Sequence, residues 1–205
     1  MVKSVVRSLA LGAAALVTAC VLILASSQHA RAEEDKTNLI YMDVGNAQET
    51  YGRVVIKLRP DLAPGHVARI KELTKAGFYN GIIFHRVIDG FMAQTGDPTG
   101  TGMGGSSKPD LKAEFSAAKH LRGICSMARA QDPNSANSQF FVVLNDSTFL
   151  DKQYTIWGEV VSGMQFIDKV HKGEPPANPD KIIKMQLASD VPDAAPAPAA
   201  DKTTN

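Results

Sequence analysis

Alternating apolar and polar positions predict short strands along most of the chain. In "GRVVIKL", Val54, Ile56 and Leu58 fall on one face, and "NLIYMDV" precedes this run across a loop. The two runs predict an antiparallel pair. Further strands are predicted in "GICSMAR", "SQFFVVL", "YTIWGEV" and "KIIKMQLA", with turn-rich sequence between several of them. The run "GIIFHRVI" is apolar on both faces apart from its His and Arg, as in a strand that is covered on both sides.

Helical spacing is found in two segments. Val67, Ile70 and Leu73 share one face and predict a helix over about 63–76. The same spacing predicts a second helix in "GMQFIDKVHKG", residues 163–173. Many short strands with only two helices favour an all-β fold, with the sheet closed into a barrel that leaves no exposed edge.

The first 32 residues resemble a secretory signal peptide. A basic start is followed by an apolar run over 9–25 and by "ARA", so we expect cleavage after Ala32. Two alternatives remain open. "LVTAC" resembles a lipoprotein processing site, with Cys20 as the lipidated residue, and the apolar run is just long enough to be retained as a membrane anchor.

The remaining sequence divides by composition. Residues 33–37 form a charged linker, residues 38–190 carry the predicted strands and helices, and residues 191–205 form a tail rich in Ala and Pro. The tail has too few large apolar residues to pack, so we expect it to be disordered. An apolar share of 44% in 205 residues is ordinary for a globular domain with a leader and a tail.

Charge and motifs exclude several functions. The predicted leader holds three of the 22 basic residues and none of the 21 acidic ones, so the mature chain would have a net charge of −2. This balance does not favour nucleic-acid binding. No His, Cys or Asp cluster has metal spacing, and "GTGMGG" lacks the Lys-Ser/Thr of a phosphate-binding loop. We therefore expect no metal or cofactor, and neither hydrolysis nor phosphoryl transfer is indicated.

Arg86 is the residue that most needs an explanation, because an unpaired guanidinium is costly to place in an apolar strand. It is either a structural ion-pair partner, with Asp89 as a candidate, or a functional cation. The neighbouring His85 has the opposite strand parity and is interpreted as structural. The other histidines of the domain, His66, His120 and His171, are expected at the surface or in loops.

Period-two spacing suggests what surrounds this cation. Gln139, Phe141 and Val143 point to one face of their strand, and Met92 and Gln94 are likewise two apart. If these side chains face one concave surface, an apolar pocket lies beside amide groups. Such a site suits a peptide that contains a small apolar ring.

Four segments, "FHRVIDGFMAQTGD", "GTGMGG", "SMARAQDPNSANSQFF" and "FLDKQYTIWGEV", resemble the cyclophilin family of peptidyl-prolyl cis-trans isomerases. The resemblance covers residues 38–190. It implies an eight-stranded antiparallel β-barrel capped by two α-helices, with the active groove on the outside of the wall. Arg86 matches the family's catalytic arginine, and Gln94 is predicted to act with it. The implied walls of the proline pocket are Phe91, Met92, Phe141 and Leu150. The implied positions that line the bound peptide are Gly102, Ala128, Arg129, Ala130 and Gln139.

Two positions of the predicted groove depart from the familiar pattern. Phe149 replaces a tryptophan and so lacks the indole N–H donor, which predicts weak or no binding of cyclosporin. Tyr154 replaces a histidine and keeps an aromatic wall with a polar tip. We expect the proline pocket to survive both changes.

The resemblance therefore predicts an isomerase of X-Pro bonds that assists the folding of exported, periplasmic proteins. The alternative, suggested by Phe149 and Tyr154, is a module of the same fold that binds proline-containing segments as a chaperone or scaffold without useful turnover. The expected partners are proline-containing polypeptides, and the expected state is a monomer. Membrane association is expected only if Cys20 is lipidated or the leader is retained.

Overall fold

The computed structural model describes residues 36–192. The predictions of a signal peptide, of a lipidated Cys20, of most of the linker and of the disordered tail from residue 193 lie outside the described residues. Within residues 36–192, no helix combines the length and apolar character needed to span a membrane.

The strands of the described region follow the alternating runs of the sequence. The first two strands, Leu39–Gly45 and Thr50–Leu58, form the predicted antiparallel hairpin, with Tyr41 opposite Val55. The bounds are β1 Leu39–Gly45, β2 Thr50–Leu58, β3 Arg86–Ile88, β4 Met92–Thr95, β5 Ile124–Met127, β6 Phe140–Val143, β7 Ile156–Ser162 and β8 Lys181–Leu187.

These strands form one sheet of eight, in the order β3-β4-β6-β5-β7-β2-β1-β8, and all neighbours are antiparallel. Within residues 36–192, the edge strands β3 and β8 form no ladder with each other. The segment before β3, residues 81–84, instead bonds to the start of β8: Ile83 bridges Lys181, Gly81 and Ile82 bond to Ile182, and the N–H of Phe84 donates to the carbonyl of Asp180 at 2.8 Å. The prediction of a fully closed barrel was therefore too strong. Residues 81–84 bond to the start of β8 before β3 begins, and β3 itself pairs with β4. The hydrogen-bonded ladder therefore does not continue from β8 into β3.

Helix α1, Pro64–Lys75, confirms the first helical prediction. Val67, Ile70 and Leu73 are buried, and the helix packs against β7 and β8. Helix α2, Met164–Asp168, is shorter than the predicted 163–173.

Two contacts explain why α2 ends early. The N–H of His171 donates to the carboxylate of Asp180 at 2.7 Å, and the N–H of Gly173 donates to the carbonyl of Val87 at 2.9 Å. These bonds hold the chain in an extended path after α2. The apolar face of the segment is nevertheless buried as predicted, through Ile167 and Val170.

The inside of the curved sheet holds the main core. Tyr79, Phe140 and Trp157 are buried there and meet edge to face, with ring centroids 5.5 Å and 5.2 Å apart. Cys125 is also buried in this core, and burial raises the pKa of its thiol, which makes it an inert side chain. On β4, β5 and β6, the residues that alternate with those of the main core point to the outer face of the sheet.

Candidate active site

The register of three strands builds a row of side chains on the outer face of the sheet. Arg86 on β3 lies opposite Gln94 on β4, and Gln94 lies opposite Phe141 on β6. Directly opposed residues of antiparallel strands point to the same side of a sheet. A cation, an amide and an aromatic ring therefore stand next to one another, although 55 residues of sequence separate the first from the last.

A chain of hydrogen bonds fixes the polar part of this row. Arg86 Nε donates to Glu174 Oε2 at 2.6 Å, and Arg86 Nη1 makes a long contact of 3.5 Å with Gln94 Oε1. Gln94 Nε2 donates to Gln139 Oε1 at 2.9 Å, and Gln139 Nε2 donates to the carbonyls of Gly102 and Gly104. This pattern orients the carbonyl end of Gln94 toward the arginine. The Arg86 side chain keeps 43% of its surface exposed, so it remains accessible to a ligand.

Apolar side chains next to this row form a second, smaller cluster on the outer face of the sheet. Met92, Phe141, Val143 and Leu150 are buried in it. Phe141 meets Tyr154 edge to face, with ring centroids 5.8 Å apart. The 3₁₀ helix Thr148–Leu150 supplies two of the apolar side chains at the rim, Phe149 and Leu150.

Phe149 is the exposed part of this rim, because 65% of its surface is accessible to solvent. Its ring lies 5.4 Å from the ring of Phe91, measured between centroids. Large apolar side chains that are singly exposed are common, but this pair borders a cavity. An apolar ring of a ligand would contact apolar side chains there on several sides.

The glycine-rich loop on the other side of the row is held by one carboxylate. Asp97 is buried and accepts hydrogen bonds from the N–H groups of Thr99, Gly102 and Gly104 and from the hydroxyl of Thr99. Burial alone would raise the pKa of Asp97, but these hydrogen bonds outweigh it and lower the pKa to about 2. Gly102 has a φ of +82°, a conformation that favours glycine.

A clamp around Arg129 fixes the far wall. Its guanidinium lies 4.7 Å from the ring centroid of Tyr154 and donates to the carbonyls of Gln153, Ala130 and Gln131. The N–H of Ala130 donates to the hydroxyl of Ser135. Both backbone groups of Ala130 are thus already bonded within the loop.

These elements enclose a cavity of about 640 Å³, within the usual range of ligand sites. It brings together all of the site residues predicted from the sequence except two, Ala130 and Gln139. Gln139 lies behind Gln94 and supports it. The members are Arg86, Phe91, Met92, Gln94, Gly102, Ala128, Arg129, Phe141, Phe149, Leu150 and Tyr154. The functional role of each remains a prediction.

Residues 41–187 match the sequence model of the cyclophilin type peptidyl-prolyl cis-trans isomerase family. The chain belongs to this family. Its cavity is thus a candidate active site of a cyclophilin, and the expected all-β fold with two helices is confirmed.

Curated relatives include a probable peptidyl-prolyl cis-trans isomerase of Brucella suis, which is 53% identical over 155 residues. That match covers 68% of this chain and 79% of the relative. A peptidyl-prolyl cis-trans isomerase of Schizosaccharomyces pombe is 40% identical over 146 residues, covering 67% of this chain and 94% of the relative.

Solved structures show the same fold. A cyclophilin of Hirschia baltica superposes with a TM-score of 0.70 at 29% identity, covering 78% of this chain and 77% of its own. A cyclophilin of Cryptosporidium parvum, determined in the presence of the dipeptide Ala-Pro, superposes with a TM-score of 0.66 at 29% identity, covering 73% and 98% of the two chains.

Several residues that line the cyclophilin cavity were not predicted from the sequence. Gly100 and Thr101 belong to the glycine-rich run, which was singled out without assigning them. Glu174 and Pro175 gave no local signal, because they lie 88 residues or more after Arg86. Glu174, and not Asp89, is the ion-pair partner of that arginine.

His66 of the cyclophilin contradicts the prediction, because it is buried in a helix, whereas His120 lies outside the helices and strands, as predicted, but is buried. His66 is buried in α1 with Nδ1 2.7 Å from Glu114, and His120 is buried with Nδ1 3.1 Å from Asp151. A carboxylate distant in sequence binds Nδ1 of each ring, which short-range sequence patterns do not show. Burial lowers the pKa of each imidazole.

His171 lies in a loop and is exposed, as predicted. His85 is buried on the cavity wall, and within residues 36–192 neither of its ring nitrogens has a hydrogen-bond partner. Burial lowers the pKa of the His85 imidazole and outweighs the nearby carboxylate of Asp97, which acts in the opposite direction. A neutral His85 suits a structural position.

Proposed function

We propose that this cyclophilin accelerates rotation about X-Pro bonds by holding the proline ring in the apolar cluster while Arg86 stabilises the twisted imide. The observation that carries the proposal is the position of Arg86. Its guanidinium is partly exposed at the wall of the cavity that Phe91, Met92 and Phe141 also line.

The chemistry needs no acid, base or covalent intermediate. Unassisted rotation has a barrier of about 20 kcal/mol because it breaks the amide resonance. In the twisted state the proline nitrogen regains its lone pair and accepts a hydrogen bond, which the planar ground state cannot do. A fixed guanidinium beside that nitrogen therefore binds the transition state more strongly than the substrate.

Each neighbour of Arg86 has a part in this scheme. Glu174 occupies Nε and Gln94 makes only a long contact with Nη1, so Nη2 and the remaining hydrogen of Nη1 can donate to the substrate. Gln94, held by Gln139, offers its amide to a peptide group next to the proline. Millisecond turnover requires about 10⁵-fold acceleration, or about 7 kcal/mol, and a preorganised cation beside an apolar pocket can supply a large part of it.

Cis/trans exchange of a blocked Ala-Pro peptide, measured by NMR, tests the proposal. We expect the Arg86→Ala variant to lose about 10²- to 10³-fold in exchange rate, as when one transition-state donor is removed from an enzyme. Arg86→Lys should recover little, because a single ammonium lacks the planar set of donors.

Arg53→Ala is the matched control. Arg53 has a similar exposure, 44%, and a similar ion pair, with Nε 2.8 Å from Asp43 Oδ1, but it lies on β2 away from the cavity. Equal exchange in the wild type and in Arg86→Ala, with the fold and the peptide affinity preserved, would favour the alternative of a non-catalytic proline-binding module.

We also propose that the clients are exported proteins, because the first 32 residues have the sequence pattern of a secretory signal. Mass spectrometry of the protein isolated from its host tests this. A mature chain that begins at Glu33 supports cleavage after Ala32. A lipidated Cys20 at the N-terminus would instead support the membrane-anchored alternative.

A further inference from the structure

Glu174 is held at the cavity wall by the backbone of the strand that carries Arg86. Gly173 and Val87 exchange two hydrogen bonds, with N–H···O distances of 2.8 and 2.9 Å. Because Val87 directly follows Arg86, this pairing places residue 174 beside the arginine. Pro175, the next residue, also lines the cavity. The position of Glu174 thus follows from the same strand that positions the proposed catalytic cation.

Only one oxygen of the Glu174 carboxylate is used by the protein. Oε2 accepts from Arg86 Nε, whereas Oε1 has no hydrogen-bond partner within residues 36–192. The side chain is 51% exposed. A bidentate pair would have bound both oxygens to the arginine. Here one oxygen stays available to a cation that enters the cavity.

The other charged residues around the cavity determine how strongly this carboxylate can affect a ligand. The ionised residues that line it are Arg86, Arg129 and Glu174, so Glu174 is its only acidic member among the described residues. Arg129 is committed to three backbone carbonyls and to the ring of Tyr154. A substrate side chain near Arg86 therefore meets one cation that is partly paired and one carboxylate that is partly free.

We infer that Glu174 is a specificity-determining residue, which favours proline segments that carry Lys or Arg within two residues of the proline over segments that carry Asp or Glu there. The inference rests on the proposed function, since it concerns the substrates of the same groove. A substrate cation would bind Oε1 of Glu174, whereas a substrate carboxylate would be repelled by it and would compete with it for Arg86.

Two matched pairs of blocked peptides test the inference. In each pair the residue that changes from Lys to Glu lies either before the Ala-Pro unit or directly after the proline. For the wild type we expect kcat/KM to favour the Lys peptide about 2- to 5-fold in at least one pair, the range of an exposed ion pair, and the preference to shrink at high salt.

Glu174→Gln should bring the Lys-to-Glu ratio close to one, and Glu174→Lys should invert it. Asp89→Asn is the control, because it removes an equal charge three residues after Arg86 at a position that does not line the cavity. It should leave the ratio unchanged. For any variant with little turnover, chemical-shift titration with the two peptides measures their affinities, and the ratio of the affinities then replaces the ratio of kcat/KM.

An unchanged ratio in Glu174→Gln and Glu174→Lys overturns the inference. A uniform loss of rate for all peptides, with the ratio kept, also overturns it, because Glu174 would then act only by positioning Arg86. A wild type that accelerates none of the peptides is a different result, since it contradicts the proposed function itself.

Discussion

The inner core and the outer pocket are built from neighbouring residues of the same strands, yet they have different surroundings. Ala93, Phe140 and Val142 point inward and are buried among the main core. Met92 and Phe141, one residue away, point outward into the smaller cluster. Period-two alternation thus divides β4 and β6 into a face that stabilises the fold and a face that forms the cavity.

The two faces differ in how completely they are covered. The inner face is enclosed by the curved sheet and by two helices, whereas the outer cluster is bordered by a 640 Å³ cavity and by Phe149, of which 65% is exposed. Apolar surface that the protein itself leaves uncovered can be covered by a ligand ring. The same strands thus supply the main core on one side and the wall of the candidate active site on the other.

The largest expected effect is on stability, through the inner face. Phe140→Ala removes a ring that packs between Tyr79 and Trp157 and leaves a closed cavity. We expect the free energy of unfolding to fall by about 3–5 kcal/mol. Urea unfolding followed by circular dichroism measures it. Exchange activity per folded molecule should be nearly unchanged, and a large loss of activity in the folded fraction would contradict the separation of the two faces.

Phe141→Ala, the adjacent residue, should have the opposite profile. The space left behind opens to the groove and admits water, so we expect a smaller loss of stability, about 2 kcal/mol. The substrate ring loses an apolar wall worth about 1.5–3 kcal/mol, so kcat/KM for an Ala-Pro peptide should fall about 10- to 100-fold. NMR exchange and urea unfolding on the same sample check both values. If Phe141→Ala destabilised as much as Phe140→Ala and kept its activity, the comparison would fail.

The pH dependence of stability should come in part from the loop of the outer face. The pKa of Asp97 is lowered to about 2, below its ordinary value of 3.8. A depressed pKa means that the stabilisation is fully present above about pH 4 and is lost as the pH falls toward 2.

Asp97→Asn tests this stabilisation. We expect the free energy of unfolding of the wild type to exceed that of the variant by at most about 2 kcal/mol at pH 6. A pKa lowered from 3.8 to about 2 corresponds to about 2.4 kcal/mol, and structural relaxation reduces that value. Unfolding measured at several pH values should show this difference narrowing between pH 4 and pH 2. A difference that stayed constant over that interval would show that another property of the side chain is responsible.

The smallest expected effect is at the rim. Phe149→Trp adds an indole N–H donor at a largely exposed position, so the free energy of unfolding should change by less than about 0.5 kcal/mol. A new hydrogen bond contributes about 0.5–1.5 kcal/mol, so the affinity for cyclosporin should increase about 2- to 10-fold. Calorimetric titration of both proteins measures it. Tight binding by the wild type would contradict the role given to Phe149.

The elements that were predicted from sequence are those with local causes. Alternation in "GRVVIKL" and the helical spacing of Val67, Ile70 and Leu73 depend on neighbours within a few residues, and both predictions are confirmed. The end of α2 was wrong because it depends on a bond between Gly173 and Val87, far apart in the chain. The extent of barrel closure was overstated for a similar reason.

The candidate site shows the same limit. Long motifs identified Arg86 and its row, but the partner of Arg86 is separated from it by 88 residues and belongs to none of those motifs. His66 and Glu114 are a second example, since the carboxylate that binds the buried ring comes 48 positions after it in the sequence. Pairings of this kind are decided by tertiary packing, which no local pattern encodes.

The pairing of Val87 with Gly173 also affects how an extended polypeptide can approach. In the three-residue strand β3, Arg86 and Ile88 bond to β4, and Val87 points its N–H and C=O the other way, where Gly173 occupies both. Unpaired backbone at a sheet edge recruits foreign strands and promotes aggregation. With this edge occupied by Gly173, a foreign strand cannot extend the sheet at Val87.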